Sequence, residues 1–387
     1  MNKITKNKLL KFVRFIVVLN AIIILLSCND HSGEAMKIKK EIFGKLSNGT
    51  EVDLFVLDHP NGARVQITNF GATVVAVKVP DKNGIFEDVV LGFDELEKYE
   101  KIRGFYGAIV GRYGNRIAKG QFILDGNEYQ TPLNDGENSL HGGFVGFDRV
   151  VWKVEDYSAD KDAILKLSYL SKDGEEGYPG NLTVTVTYKF TLDLELVIDF
   201  EVSTDKKTVK NITNHAYFNL SGNVKDDILN HLLMLNADKY TSVVPGLIPT
   251  GEIEAVMGTP LDFRNPTAIG KRIDQDDEQL KLGHGYDHNW VINNADGKLN
   301  FAGTLYEPNS GRLMEIFTTE PGIQFYSGNF MDGSHSGHNG KVYNYRNAVC
   351  LETQHFPDSP NHPQFPSTTL NPDETYKSKT VYEFSVK

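Results

Sequence analysis

Between residues 182 and 202 apolar and polar side chains alternate: Leu182, Val184, Val186, Tyr188 and Phe190 interleave with Thr183, Thr185, Thr187 and Lys189. The pattern then resumes, with Leu192, Leu194, Leu196, Ile198, Phe200 and Val202 on one face and Asp193, Glu195, Asp199 and Glu201 on the other. Successive strand residues point to opposite faces, so this alternation specifies half-buried strands of an antiparallel sheet with one wet face. Turn signals recur at Asn61-Gly62, Asn83-Gly84 and Asp125-Gly126, where the left-handed backbone of a tight hairpin is easily adopted. Helical patterns are scarce, with Asp94–Lys101 and Thr267–Lys281 as short candidates. No stretch after residue 38 has the composition of a linker, and no internal repeat of solenoid or propeller length is present. The expected fold class is all-β, a single large antiparallel β-sandwich domain over residues 38–387.

The N-terminus obeys different rules. Lys3, Lys6, Lys8, Lys11 and Arg14 precede an apolar run from Phe15 to Leu26, which ends in Leu25-Leu26-Ser27-Cys28. That run is shorter than the roughly 20 residues of a membrane span. A basic start, an apolar middle and a small residue before cysteine read as a lipoprotein signal peptide over residues 1–27, cut before a lipidated Cys28. Residues 28–37 would be the tether, and the rest would be exported and held at a membrane, in the periplasm or at the outer membrane of a Gram-negative-type cell. Cleavage removes five cations and no anions, taking the formal charge from −11 to −16.

An acidic chain with no basic face is a poor partner for nucleic acid and suits a neutral ligand. Besides Cys28 only Cys350 remains, so neither an internal disulfide nor a cysteine-based zinc site can form. No metal and no cofactor is expected, and the chain is expected as a monomer or weak dimer.

Chemistry is suggested by polar residues set in apolar frames: His141 in Ser139-Leu140-His141-Gly142-Gly143, His215 in Thr213 to Leu220, and Glu352 in Cys350-Leu351-Glu352-Thr353-Gln354. A histidine titrates near neutrality and a desolvated carboxyl moves toward the same range, so such groups can serve as acid and base at one bond. Gly111 to Ile117 sets Asn115 beside Arg116, suited to a polyhydroxyl ligand or to bracing a loop. His284 to Trp290 holds a carboxylate, two imidazoles and an indole. Gly285 argues against the helix that metal binding through His284 and His288 would need, and Asp287 gripping hydroxyls beside the Trp290 face is the simpler expectation. In Pro321 to Asn329, Gln324 and Tyr326 face one way and Ile323 and Phe325 the other, which makes Gln324 a candidate pocket wall. The proline-rich segment Gln354–Pro363 is expected to shape an entrance.

Taken in order, Gly111–Ile117, Asn138–Gly143, Thr213–Leu220, Gly285–Asn289, Gly322–Gly328 and Leu351–Pro366 resemble the aldose 1-epimerases, or galactose mutarotases, over about residues 40–385. The resemblance implies a galactose mutarotase-like supersandwich with a cleft across one sheet and no metal or cofactor. It implies Glu352 as general base, His215 as general acid and His141 as support at the ring-oxygen side, with Asn115, Arg116, Asp287 and Gln324 binding sugar. The expected activity interconverts the α and β anomers of free hexoses such as galactose and glucose. A protonated His215 beside an ionised Glu352 would give a bell-shaped pH–rate profile with a limb in the histidine range. The alternatives are a non-catalytic sugar-binding lipoprotein and a glycoside hydrolase-like enzyme using Asp287 as a second acid. A relative acting on phosphorylated hexoses lacks an obvious basic pocket.

Overall fold

A computed structural model describes residues 35–387 of the chain. The expected signal peptide, Cys28 and nearly all of the tether lie outside the described residues. Met36 is buried in the core and the first strand starts at Lys37, so the domain begins two residues before the expected boundary. Among the described residues, no helix is long and apolar enough to cross a membrane.

Three antiparallel sheets carry the fold. The N-terminal one is a five-stranded meander from Lys37–Lys45 to Phe86–Asp88. The largest has nine strands and contains the alternating segments. Leu182, Val184, Val186, Tyr188 and Phe190 are each wholly buried, while the threonines and lysine between them are not. The next strand runs only over Glu195–Thr204: Leu192 is exposed and Leu194 takes a left-handed φ of 60°, so both belong to the turn. The third sheet has six strands in the order Tyr217–Phe218, Val349–Gln354, Gly322–Tyr326, Asp287–Val291, Lys239–Val244 and Ile248–Ala255.

The sheets face one another across a common apolar core. Phe55 and Val65 from the first, Val184 and Ile316 from the second, and Trp290, Phe325 and Leu351 from the third belong to one buried cluster. The Tyr382 hydroxyl donates to the Leu351 carbonyl at 3.0 Å, and the Phe218 and Tyr382 rings lie 5.1 Å apart, tying the nine-stranded sheet to the back of the six-stranded one. This is the β-sandwich expected.

The three expected hairpins are present, and Asp125 (φ 52°) and Gly126 (φ 78°) adopt the left-handed pair that a two-residue turn requires. Of the helical candidates, Leu96–Lys101 is a helix, whereas Thr267–Lys281 holds a single 3-10 turn at Ile269–Lys271 and is α-helical only in its last part, within Glu278–Gly283. The Asp277 side chain accepts from the backbone N–H groups of Gln279 and Leu280, so it starts a new helix where a continuous one was expected.

Candidate active site

Strand pleating decides which side chains meet. Glu352 stands opposite Gln324 in the register of the six-stranded sheet, and in the neighbouring row Tyr217 stands opposite Cys350, Cys350 opposite Tyr326, and Tyr326 opposite Asp287. All share one face, because residues two apart on a strand point the same way. The same rule sends Trp290 to the other side, where it is fully buried and its indole N–H donates to the Leu261 carbonyl at 3.0 Å. The expectation of Asp287 beside a tryptophan face is therefore wrong: the two are three residues apart and point oppositely.

His215 lies in a break between the short strands Thr213–Asn214 and Tyr217–Phe218 and not within a strand. Its backbone is held by the facing segment, its N–H donating to Ala108 O and its carbonyl accepting from Gly107 N. His141 follows the two-residue strand Ser139–Leu140, which pairs with Arg116–Ile117. Both His141 (φ 48°) and its partner Asn115 (φ 62°) adopt the left-handed conformation, a strain that non-glycine residues tend to carry at functional sites. Gly142 must be glycine, since a Cβ there would lie 1.9 Å from the Gly111 carbonyl oxygen.

Together these elements enclose a cleft of about 830 Å³ counted to its open mouth. Glu352, His215, His141, Asn115, Arg116 and Asp287 line it, and each is at least nine-tenths buried. Gln324, buried beside them, donates to Asp287 Oδ1 at 2.7 Å. All seven catalytic and sugar-binding residues expected from the sequence are thus brought together.

At the bottom, Glu352 Oε1 lies 3.6 Å from His215 Nε2. The Asn115 N–H donates to His141 Nδ1 at 3.1 Å, which places the proton of the neutral ring on Nε2 and makes that atom a donor. Candidate ligand atoms of His141, His215 and Glu352 lie within 4.8 Å of one another, a spacing a metal ion would accept. The tautomer of His141 works against that use, because a ligating nitrogen needs a free lone pair. Cys350 Sγ is 3.6 Å from His215 Nδ1, and with the ring proton on Nδ1 donating to that sulfur, Nε2 presents its lone pair to Glu352.

Electrostatics departs from the sequence-based expectation. Burial pushes His215 down to about 4, and it pushes the Glu352 carboxyl well above the usual carboxylate range, reinforced by the Asp287 charge and partly offset by Arg116. His141 is also held well below the usual range, by burial and by His215 and Arg116. Without substrate the site therefore rests with its proton on Glu352 and a neutral His215, the reverse of the expected charged pair. The two forms hold the same number of protons, so they are tautomers of one state.

The sequence reading missed part of the cleft. Tyr326, read from the sequence as sharing the Gln324 face, is a wall as well, and Tyr217 lies just past the break that holds His215, where no strand period runs through. Arg103, Phe105 and Tyr106 come from the irregular segment after the helix Leu96–Lys101, where nothing in the pattern points inward; the Phe105 ring lies 4.6 Å from that of His141. The entrance is framed by this segment and by Phe330–Asp332. Gln354–Pro363 is not among the lining residues. Instead the Asp358 N–H donates to the Arg116 carbonyl and its carboxylate accepts from the Ala118 N–H, so the segment braces the Arg116 strand from behind.

Comparison with known proteins agrees with this geometry. The family model described as aldose 1-epimerase matches residues 53–383. The chain is 44% identical over 353 residues to the galactose mutarotase of Rattus norvegicus, covering 91% of this chain and 99% of that protein. It is 37% identical over 340 residues to the aldose 1-epimerase of Escherichia coli (strain K12), covering 87% and 96%. Among solved structures, the galactose 1-epimerase from Lactobacillus acidophilus superposes with a TM-score of 0.79 at 30% identity, covering 91% of this chain and 99% of that one.

Proposed function

The chain belongs to the aldose 1-epimerase family and is an isomerase that interconverts sugar anomers, and we propose that Glu352 and His215 carry out the reaction as a pair sharing one proton. The carrying observation is their 3.6 Å approach at the buried floor of a cleft, with burial shifting the two groups in opposite directions. When a pyranose enters, its hydroxyls offer hydrogen bonds to both groups, and the pair redistributes its proton. Glu352 takes the proton of the anomeric hydroxyl while His215 gives one to the ring oxygen, and the C1–O5 bond breaks to leave the free aldehyde. Rotation about C1–C2 presents the other carbonyl face. The groups then exchange roles and close the ring as the other anomer.

His141, donating from Nε2, steadies the ring-oxygen side, and Asn115, Arg116, Asp287 and Gln324 hold the remaining hydroxyls. Free hexoses such as galactose and glucose are the substrates, in keeping with relatives named galactose mutarotase. Binding without turnover would not need a matched proton pair, which speaks against a non-catalytic sugar-binding protein.

Polarimetry of freshly dissolved α-D-galactose and α-D-glucose tests the activity, with accelerated approach to equilibrium expected for the wild type. The pH dependence of kcat/KM tests the pair. The one-proton state persists from the ionisation of His215 near pH 4 up to that of Glu352, well above the ordinary carboxylate range. The acid limb should therefore fall near pH 4, with a flat profile through the ordinary histidine range. An inflection near the ordinary histidine value of about 6.5 would show a solvent-like imidazole and sink the shared-proton scheme.

We place the enzyme outside the cytoplasm, anchored by a lipid; the basic start, the apolar run and Ser27-Cys28 support this. In the native host, Cys28→Ser is expected to abolish lipid labelling and release the protein from the membrane fraction. Unchanged labelling would overturn the anchor.

A further inference from the structure

His215 has two ring nitrogens, and the partner of the one facing away from Glu352 decides which of them can exchange a proton. The ring is boxed in: the Phe105, Tyr217 and His141 rings lie 5.7, 5.0 and 5.1 Å from it, centre to centre. Its Nδ1 has one hydrogen-bond partner among the described residues, the Cys350 sulfur at 3.6 Å. Cys350 is wholly buried and sits two residues before Glu352 on the strand Val349–Gln354, so both side chains leave that strand on the same face. One strand therefore addresses both ends of one imidazole, with Sγ at Nδ1 and Glu352 Oε1 at Nε2, each 3.6 Å away. Tyr217 and Tyr326 stand directly opposite Cys350 on the two neighbouring strands and fix its place in the row.

The kind of atom matters as much as its position. A thiol sulfur is a weak acceptor. Burial, with the Glu352 and Asp287 charges nearby, holds the Cys350 thiol well above the ordinary thiol range, so it stays neutral and sets no charge against the imidazole. A carboxylate in that position would stabilise the imidazolium and draw the proton from Glu352 onto His215 for good. Sulfur keeps the Nδ1 proton in place without that pull, which leaves the second proton free to pass between Nε2 and Glu352. Through ring opening and closure Cys350 neither gains nor loses a proton, and no bond to sulfur forms or breaks.

We propose that Cys350 is the positioning residue of His215: its neutral sulfur holds one ring proton at Nδ1, so that Nε2 alone serves the sugar, and its weakness as an acceptor keeps the proton shared with Glu352 exchangeable. This rests on the Glu352–His215 assignment.

Cys350→Ala and Cys350→Ser separate this role from packing, since both trim the side chain and only serine keeps an acceptor. In polarimetry of fresh α-D-galactose, Cys350→Ala should lose about tenfold in kcat, the worth of one hydrogen bond, with KM unchanged. Cys350→Ser should keep more of the rate and move the acid limb upward from near pH 4, because oxygen is a stronger acceptor than sulfur and stabilises the imidazolium. In nitrogen NMR of the wild type with isotopically labelled histidine at neutral pH, the His215 signals being those lost in His215→Asn, the ring proton should sit on Nδ1. A ring protonated on Nε2 overturns the proposal whatever the variants do. Equal kcat losses in the two variants, or an acid limb that Cys350→Ser leaves unmoved, overturn it as well. A wild type without activity on galactose overturns the proposed function instead, and the NMR signals still read the tautomer.

Discussion

Glu352→Gln is expected to lower kcat by about 10³- to 10⁴-fold, the upper part of the range for losing a positioned proton carrier, while the protein stays folded and gains stability at neutral pH. The amide matches the carboxyl in shape and cannot exchange protons at C1–O1. The stability gain follows from linkage. Glu352 has a folded pKa raised by burial, so the folded protein binds a proton that the unfolded chain has released once the pH exceeds the ordinary carboxylate value. Stability is lost as the pH rises from there through the folded pKa, by about 1.4 kcal/mol for each pH unit crossed. Glutamine removes that cost. Urea midpoints at neutral pH for both proteins, alongside polarimetric rates, check this directly: a variant that is both inactive and less stable would mean that Glu352 is a structural group.

His215→Asn carries the second large effect, with an expected loss of about 10²- to 10⁴-fold in kcat and an altered pH response. Burial holds the wild-type imidazole near 4 against about 6.5 when unfolded, so the unfolded chain binds the extra proton between those values. Stability from this group is intact above about pH 6.5 and falls by about 3 kcal/mol as the pH drops toward 4. The asparagine variant should lose that acid sensitivity, along with any acid limb near pH 4 in its residual rate. Because the two groups share one proton, the Glu352→Gln, His215→Asn double variant should be little slower than the worse single variant. Multiplicative losses would show two independent contributors in place of a pair.

The sequence disclosed the participants of the site more fully than their electrostatics. Glu352, His215 and His141 stood out because polar side chains in apolar frames require a reason for burial, and Gln324 followed from the alternation of its strand. The same alternation, applied to Asp287 and Trp290, would have separated them; composition alone put them together, and wrongly so. The resting proton could not be placed, since desolvation depends on what the fold packs around a group, and the groups near Glu352 come from strands and loops distant in sequence. The lining contributed by Arg103–Tyr106 and Phe330–Asp332 lay in irregular segments with no period to read. Strands were legible as strands, but not which sheet each would join: Leu182–Phe190 and Glu195–Thr204 pair as neighbours, whereas the partner of the latter on its other side is Thr375–Val386, distant in sequence.

That last pairing governs the order in which the molecule can be completed. Thr375–Val386 lies between Glu195–Thr204 and Arg312–Thr318, joining the two halves of the nine-stranded sheet. A polypeptide emerging from the ribosome has its N-terminal meander early, but its largest sheet stays in two unjoined pieces until Thr375–Val386 is released. The Glu352 strand, packed against Tyr382 of that closing strand, gains its backing only then. A catalytic floor that takes its backing from Thr375–Val386 cannot be active in a chain truncated before that strand, and under the proposed export across a membrane, this late closure keeps the preceding chain threadable while it is still being made.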